Sequence, residues 1–223
     1  MNNVLPHIRL EIGQSPQHCI IWLHGLGADG EDFVPVAQEM NLPVAGRYLF
    51  PHAPEQPVTI NGGYIMRAWY DITAADIAAQ QDSVGIHASQ AAIKALIAQE
   101  TARGIAPENI YLAGFSQGAA ISLHTGLRHL PQLGGIVALS AYLPLAGTLA
   151  HDIHSMPKNI PIFMAHGRDD TVVPFATGQA SADILRKQSY QLEWQEYAIS
   201  HSVCTEEIRD IENWLAGQLK KQN

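Results

Sequence analysis

Residues His7–Ile12 alternate, with Ile8, Leu10 and Ile12 on one face and His7, Arg9 and Glu11 on the other. A period of two marks a half-exposed strand, here expected at a sheet edge. Cys19–Leu23, Ile110–Ala113, Gly135–Leu139 and Ile162–Ala165 are instead short, continuously apolar runs, each ending in small or turn residues. Such runs suit strands covered on both faces, as crossover helices cover a parallel sheet. Leu192–Tyr197 reads as one more strand.

Between these runs the period lengthens. Ile86–Arg103 carries Ile93, Leu96 and Ile97 among alanines and stops beside Gly104, the residue a helix C-terminus favours. Gln117–Leu130 follows a strand without a break and reads as a second helix. Near the C-terminus Ile208, Ile211, Leu215 and Leu219 recur at three or four residues. Glu206 and Glu207 fall in that helix's first turn and Lys220 and Lys221 at its end, an order that complements the helix dipole. Alternation of strand and helix predicts an α/β architecture, a mainly parallel central sheet with helices on both faces. No repeat, charge run or low-complexity tract marks a linker, so one domain is expected over residues 1–223.

Composition narrows the partners. Hydrophobic residues make up 47% of the chain and charged ones 15%, which excludes a disordered or fibrous protein. A formal charge of −8 without a basic cluster argues against nucleic acid. Cys19 and Cys204 lie far apart with no CxxC spacing, so neither a zinc ribbon nor a disulfide framework is available. Free thiols suit a reducing compartment. The N-terminus lacks a secretory pattern and no apolar run reaches bilayer length, so the expectation is a cytoplasmic protein without stable membrane insertion.

The strongest chemical signal is Gly114-Phe115-Ser116-Gln117-Gly118, where an apolar strand runs into a helix with a serine at the corner. This is the nucleophile-elbow pattern, and the flanking strand and helix make it more specific than the five residues alone. The two glycines are required because a Cβ at either would collide with a neighbouring element. A serine hydroxyl needs a histidine base, and the base needs a carboxylate to orient it. On this kind of sheet the order is Ser, then Asp or Glu, then His. His124 and His129 lie on the helix after the serine, and His151 and His154 precede any acid-bearing strand end. Asp169 and Asp170 follow the strand Ile162–Ala165, where catalytic groups gather in open α/β sheets. His201 then remains as the base, while His166 reads as a structural neighbour of the acid. His52 and His87 receive no role.

An oxyanion needs donors, of which one is the backbone N–H of the residue after the nucleophile, Gln117. A second is expected from the loop Leu23-His24-Gly25-Leu26-Gly27-Ala28-Asp29-Gly30. That loop also spells GxGxxG, yet Arg47-Tyr48-Leu49 stands about twenty residues on, where a dinucleotide site would want an acid. Pro54–Ile72, with Ile60, Tyr64, Met66, Trp69 and Tyr70, is long and apolar for a plain connection and reads either as a lid or binding wall, or as a surface hairpin packing its aromatics inward.

Several blocks together resemble the acyl-protein thioesterase, lysophospholipase and carboxylesterase family of α/β-hydrolases. They are Trp22–Gly30, Pro57–Tyr64, Met66–Asp71, Gly114–Gly118, Ala138–Pro144, His166–Pro174 and His201–Cys204. The resemblance implies an α/β-hydrolase fold with Ser116 as nucleophile, His201 as base and Asp170 as acid, since the family's aspartate directly precedes a stretch like Thr171-Val172-Val173-Pro174. It implies an oxyanion hole from the amides of Leu26 and Gln117, and a substrate-binding role for Tyr64, Met66 and Trp69 at the entrance of an acyl site. The chain departs from the family at Gly118-Ala119, where two glycines are usual, and at Ala198-Ile199-Ser200, where a Gly-Met-like pair is usual. The second departure bears on chain-length preference more than on chemistry.

The expected function is therefore a serine hydrolase, a carboxylesterase or thioesterase working through an acyl-enzyme, with no metal or cofactor. Its substrate would be an acyl ester or thioester of a small molecule, a lysophospholipid or an acylated protein. Lysophospholipase as the main activity and a non-catalytic ligand receptor on the same fold are the alternatives. Dienelactone hydrolysis would call for a cysteine where Ser116 stands. An apolar rim at the lid segment is one surface through which a homodimer could form.

Overall fold

A computed structural model describes residues 4–74, 81–129, 131–154 and 156–220. In chain order it runs β1 (His7–Ile12), β2 (His18–Leu23), α1 (Val34–Glu39), β3 (Gly46–Pro51), β4 (Glu55–Val58), β5 (Tyr64–Arg67), α2 (Ser83–Ala102), β6 (Ile110–Phe115), α3 (Gln117–Gly126), β7 (Gly135–Leu139), α4 (Ala146–Asp152), β8 (Ile162–Gly167), α5 (Phe175–Lys187), β9 (Leu192–Tyr197) and α6 (Thr205–Lys220). The sheet order is β1-β3-β2-β6-β7-β8-β9. All neighbours are parallel except the edge strand β1, which pairs antiparallel with β3.

Alternate residues of the apolar strands feed two cores, one on each face. On β2, Cys19, Ile21 and Leu23 join a core that takes in Ile86 to Ile97 of α2, Ala119 to Leu123 of α3 and Ala182 and Leu185 of α5. Ile20 and Trp22 point the other way, to Phe33, Ala37 of α1 and Ile211, Trp214 and Leu215 of α6. Burial on both sides is why these strands are apolar throughout and β1 is not.

The helices on both faces that the alternation of strand and helix predicts are present, with local differences. α3 ends at Gly126, where glycine weakens the helix and the Leu127 N–H caps it on the Leu123 carbonyl. Leu130, the end expected from the sequence, lies outside the described residues, as does Lys221. β3 and the helices α1, α4 and α5 were not foreseen. Pro54–Ile72 contains the small hairpin β4–β5, which leaves Ile60, Tyr64 and Ile65 exposed while Trp69 and Tyr70 are buried.

Glu207 is not a surface charge of the helix dipole. It is 1% exposed, sits at the third position of α6, and reaches back to the Cys204 N–H. This is half of a capping box. Burial pushes its carboxyl up to about 7. The cap ties α6 to the loop that carries His201.

Candidate active site

β2 leads to one side of the sheet and β6 to the other, so their carboxyl ends open a crevice at the reversal of strand order, the usual ligand position in such sheets. Ser116 stands there between β6 and α3 with φ 52° and ψ −119°. A non-glycine residue holds such a conformation only when its surroundings impose it. The imposing contacts are visible. Ser116 N–H donates to the Leu139 carbonyl at 2.8 Å, fixing the corner to β7. A Cβ on Gly114 would lie 2.6 Å from the Ala119 nitrogen, and one on Gly118 would strike the carbonyl oxygens of Leu23 and His24. Only glycine at both positions lets strand, turn and helix approach this closely.

The loop after β9 brings His201 to the serine, with Nε2 2.9 Å from Ser116 Oγ. Its Nδ1 lies 2.7 Å from Asp170 Oδ2, in the loop after β8. The other carboxylate oxygen of Asp170 accepts from the amides of Val172 and Val173, each at 2.9 Å. With one oxygen on two amides and the other on the imidazole, the carboxylate has one orientation, and it leaves His201 with a proton on Nδ1 and a lone pair on Nε2. Phe115 packs against the imidazole at 4.7 Å between ring centroids. Of the two aspartates, Asp170 is buried at this junction and Asp169 is exposed.

His166 packs beside Asp170 as a neighbour. Its Nε2 donates to the Val173 carbonyl at 2.8 Å and stands 3.4 Å from Asp170 Oδ2. Burial lowers its pKa, so it stays neutral and braces the Val173 turn.

The loop after β2 is held from three sides. His24 donates from Nδ1 to the Gly25 carbonyl at 2.7 Å and accepts from Ala53 N–H at Nε2, at 3.0 Å. These roles need a neutral ring, in keeping with the lowering of its pKa by burial. Trp69 Nε1 donates to the His24 carbonyl at 2.9 Å, and Gly27 N–H to the Arg67 carbonyl at 2.9 Å. Leu26, in this loop, lines the same cavity as Ser116. Gln117 opens α3, so its N–H belongs to the first turn, where no helical carbonyl is available to it. Its side chain has a further use that the sequence did not reveal. Oε1 accepts from Trp69 N–H at 2.8 Å and Nε2 donates to the Tyr70 carbonyl at 2.7 Å, strapping that segment to the elbow.

A cavity of about 350 Å³ opens at Ser116 and His201, lined by Leu26, Tyr70, Ile72, Phe115, Tyr142, Val172 and Val173. Tyr64, Met66 and Trp69, expected to bind substrate, do not line it. Tyr64 projects from the hairpin and is 70% exposed. Met66 stands behind Gly27, and Trp69 is spent on the His24 and Gln117 bonds. The hairpin packs behind the serine loop, so the wall is formed by the residues after it. Tyr142 and Ile72 were missed, although the position of Tyr142 just after a parallel strand was a usable signal. Among the described residues no cluster of three or more His, Cys, Asp and Glu side chains could hold a metal ion, and no helix is long and apolar enough to cross a membrane.

A parallel sheet, a strained serine at a strand-to-helix corner and a histidine between serine and buried aspartate define an α/β-hydrolase. The phospholipase/carboxylesterase family model matches residues 9–219. The chain belongs to that family, and with it to the carboxylic ester hydrolases. It is 37% identical to acyl-protein thioesterase 1 of Yarrowia lipolytica, covering 97% of this chain and 98% of that protein. Its structure is similar to that of SOBER1 from Arabidopsis thaliana, with a TM-score of 0.85 and 33% identity over 91% of this chain and 99% of that one. It is also similar to acyl-protein thioesterase 2 of Zea mays, with a TM-score of 0.87 and 28% identity over 96% and 99% of the two chains.

Proposed function

We propose that this protein is a serine esterase that hydrolyses carboxylic esters or thioesters through an acyl-enzyme on Ser116. His201 Nε2 takes the Ser116 proton as Oγ attacks the carbonyl carbon. The oxygen that becomes negative is received by the amides of Leu26 and Gln117, at the N-terminus of α3, where the helix dipole also favours the charge. His201 then protonates the departing alcohol or thiol as the carbonyl re-forms. Water repeats the sequence, giving its proton to His201 and releasing the acid. Asp170 keeps the imidazole turned toward the serine and balances its charge when protonated.

The observation that carries this reading is the unbroken line Ser116 Oγ, His201, Asp170, at 2.9 and 2.7 Å. A ligand receptor would have no need of it, nor of the strained serine. The likeness to proteins named acyl-protein thioesterase supports thioesters of acylated proteins among the substrates. Two free thiols support a cytoplasmic setting.

Ser116→Ala tests it, measured on p-nitrophenyl butyrate and a matched thioester. Turnover is expected to fall by about 10⁴-fold or more, because members of such a triad act as a unit. Near-wild-type turnover in that variant would contradict the assignment.

A further inference from the structure

Two cavities meet at one side chain. The first is the Ser116 cavity of about 350 Å³. The second, of about 390 Å³, runs between α4 and α5 and is walled by Leu145, Ala146, Thr177, Ala180 and Ile184. Among the described residues Tyr142 alone lines both. Its hydroxyl is 2.7 Å from that of Tyr70, which lines the serine side only. Tyr142 is 5% and Tyr70 1% exposed, so each hydroxyl depends on the other in a place largely closed to water.

The backbone that carries Tyr142 is fixed at three points. Ser140 N–H donates to the Ala165 carbonyl at 2.8 Å, Leu143 N–H to Ser181 Oγ at 2.9 Å, and Leu145 N–H to Gln81 Oε1 at 2.7 Å. Ser140 and Leu145 also adopt φ of 48° and 50°, a conformation that neighbours must impose. A ring mounted this way is a fixed partition. Neither tyrosine hydroxyl belongs to the Ser116, His201 and Asp170 line, so the pair is free to serve shape alone.

We propose that the ring of Tyr142, pinned by its hydroxyl to Tyr70, ends the acyl cavity and so sets the longest acyl chain that can be seated at Ser116. This rests on the esterase reading above. A volume of about 350 Å³ is near the low end of the roughly 300–1,000 Å³ typical of small-molecule sites. A short acyl chain fits within it. A long one meets the Tyr142 ring and must bend back toward solvent, leaving its end methylenes unburied, although an apolar groove lies just beyond.

The test is the ratio of kcat/KM for p-nitrophenyl laurate to that for p-nitrophenyl butyrate, in the wild type, Tyr142→Ala and Tyr142→Leu. In Tyr142→Ala the ratio is expected to rise about tenfold, the worth of about two newly buried methylenes. A smaller rise is expected in Tyr142→Leu. Removing the tyrosine strands the Tyr70 hydroxyl, and where Tyr142→Ala fails to fold, the pair Tyr70→Phe with Tyr142→Leu carries the same readout. A ratio within about twofold of wild type in a folded variant overturns the proposal, since no methylene would then have been gained. Laurate binding to Ser116→Ala, with and without Tyr142→Ala, reads the same wall without turnover. About tenfold tighter binding on opening the wall supports it, and unchanged affinity overturns it. Absence of serine-dependent turnover in the wild type would strike the esterase reading instead, and the binding measurement would still decide the wall.

Discussion

The two sides of the Ser116 cavity are built in different ways. On the relay side Ser116, Asp170 and His201 each stand at or just after the carboxyl end of a strand, held by bonds from their own loops or the adjacent strand. On the cavity side Tyr70 and Ile72, from the segment after the β4–β5 hairpin, meet Tyr142, from the loop after β7, only through tertiary packing. Chemistry at this site is local geometry on a rigid sheet, while substrate fit is a property of how distant loops close on one another. The two should respond differently to mutation.

Asp170→Asn gives the largest effect after loss of the serine itself. The amide can still accept from Val172 and Val173, but it cannot hold the protonated imidazole, and kcat should fall by about 10⁴-fold with little loss of stability. Measurement of kcat beside the thermal midpoint separates the two. Gln117→Ala attacks the junction of the two sides, since it frees the Trp69 N–H and the Tyr70 carbonyl. A loss of about 10- to 100-fold in kcat/KM is expected, with a lowered midpoint from the two stranded backbone groups. An effect on the midpoint alone would show that the strap supports the fold and not the cavity.

Glu207→Gln probes the cap that anchors the His201 loop. Burial raises its carboxyl from an ordinary 4.5 to about 7, so the folded state favours the protonated form. Its contribution to stability is fully present below about pH 4.5 and is lost as pH rises through about 7, in all roughly 3 kcal/mol. Glutamine keeps the capping bond and does not ionise, so unfolding titrations across this range should flatten in the variant. An unchanged pH slope would contradict the assignment. Smallest of all, Tyr64→Ala should alter kcat/KM by less than about twofold, as for an exposed side chain outside the cavity.

The same division explains what could be read from the sequence. Covered strands need apolar residues on both faces, so β2, β6, β7 and β8 announced themselves, and the Gly114 to Gly118 corner did so because two close approaches exclude every other residue. Chain order then led to His201. Between Asp169 and Asp170 the residues alone left a choice, because burial decides it and burial is tertiary. Tyr64, Met66 and Trp69 were assigned to the substrate through the family resemblance, while their apolar character suited equally a hairpin that packs behind the serine loop. Tyr142 went unassigned although its place just after β7 pointed toward the site, because nothing local marks the partner it meets on Tyr70. Glu207 looked like a helix-end charge until its burial was visible.

The central claim is that Ser116 carries the acyl group during turnover. Acid quenching during hydrolysis of p-nitrophenyl butyrate, followed by mass spectrometry of the proteolysed chain, should find one butyryl group on the peptide containing Ser116, and none in Ser116→Ala. A butyryl group on another residue, or ester turnover that persists in Ser116→Ala without any acylated peptide, would contradict it.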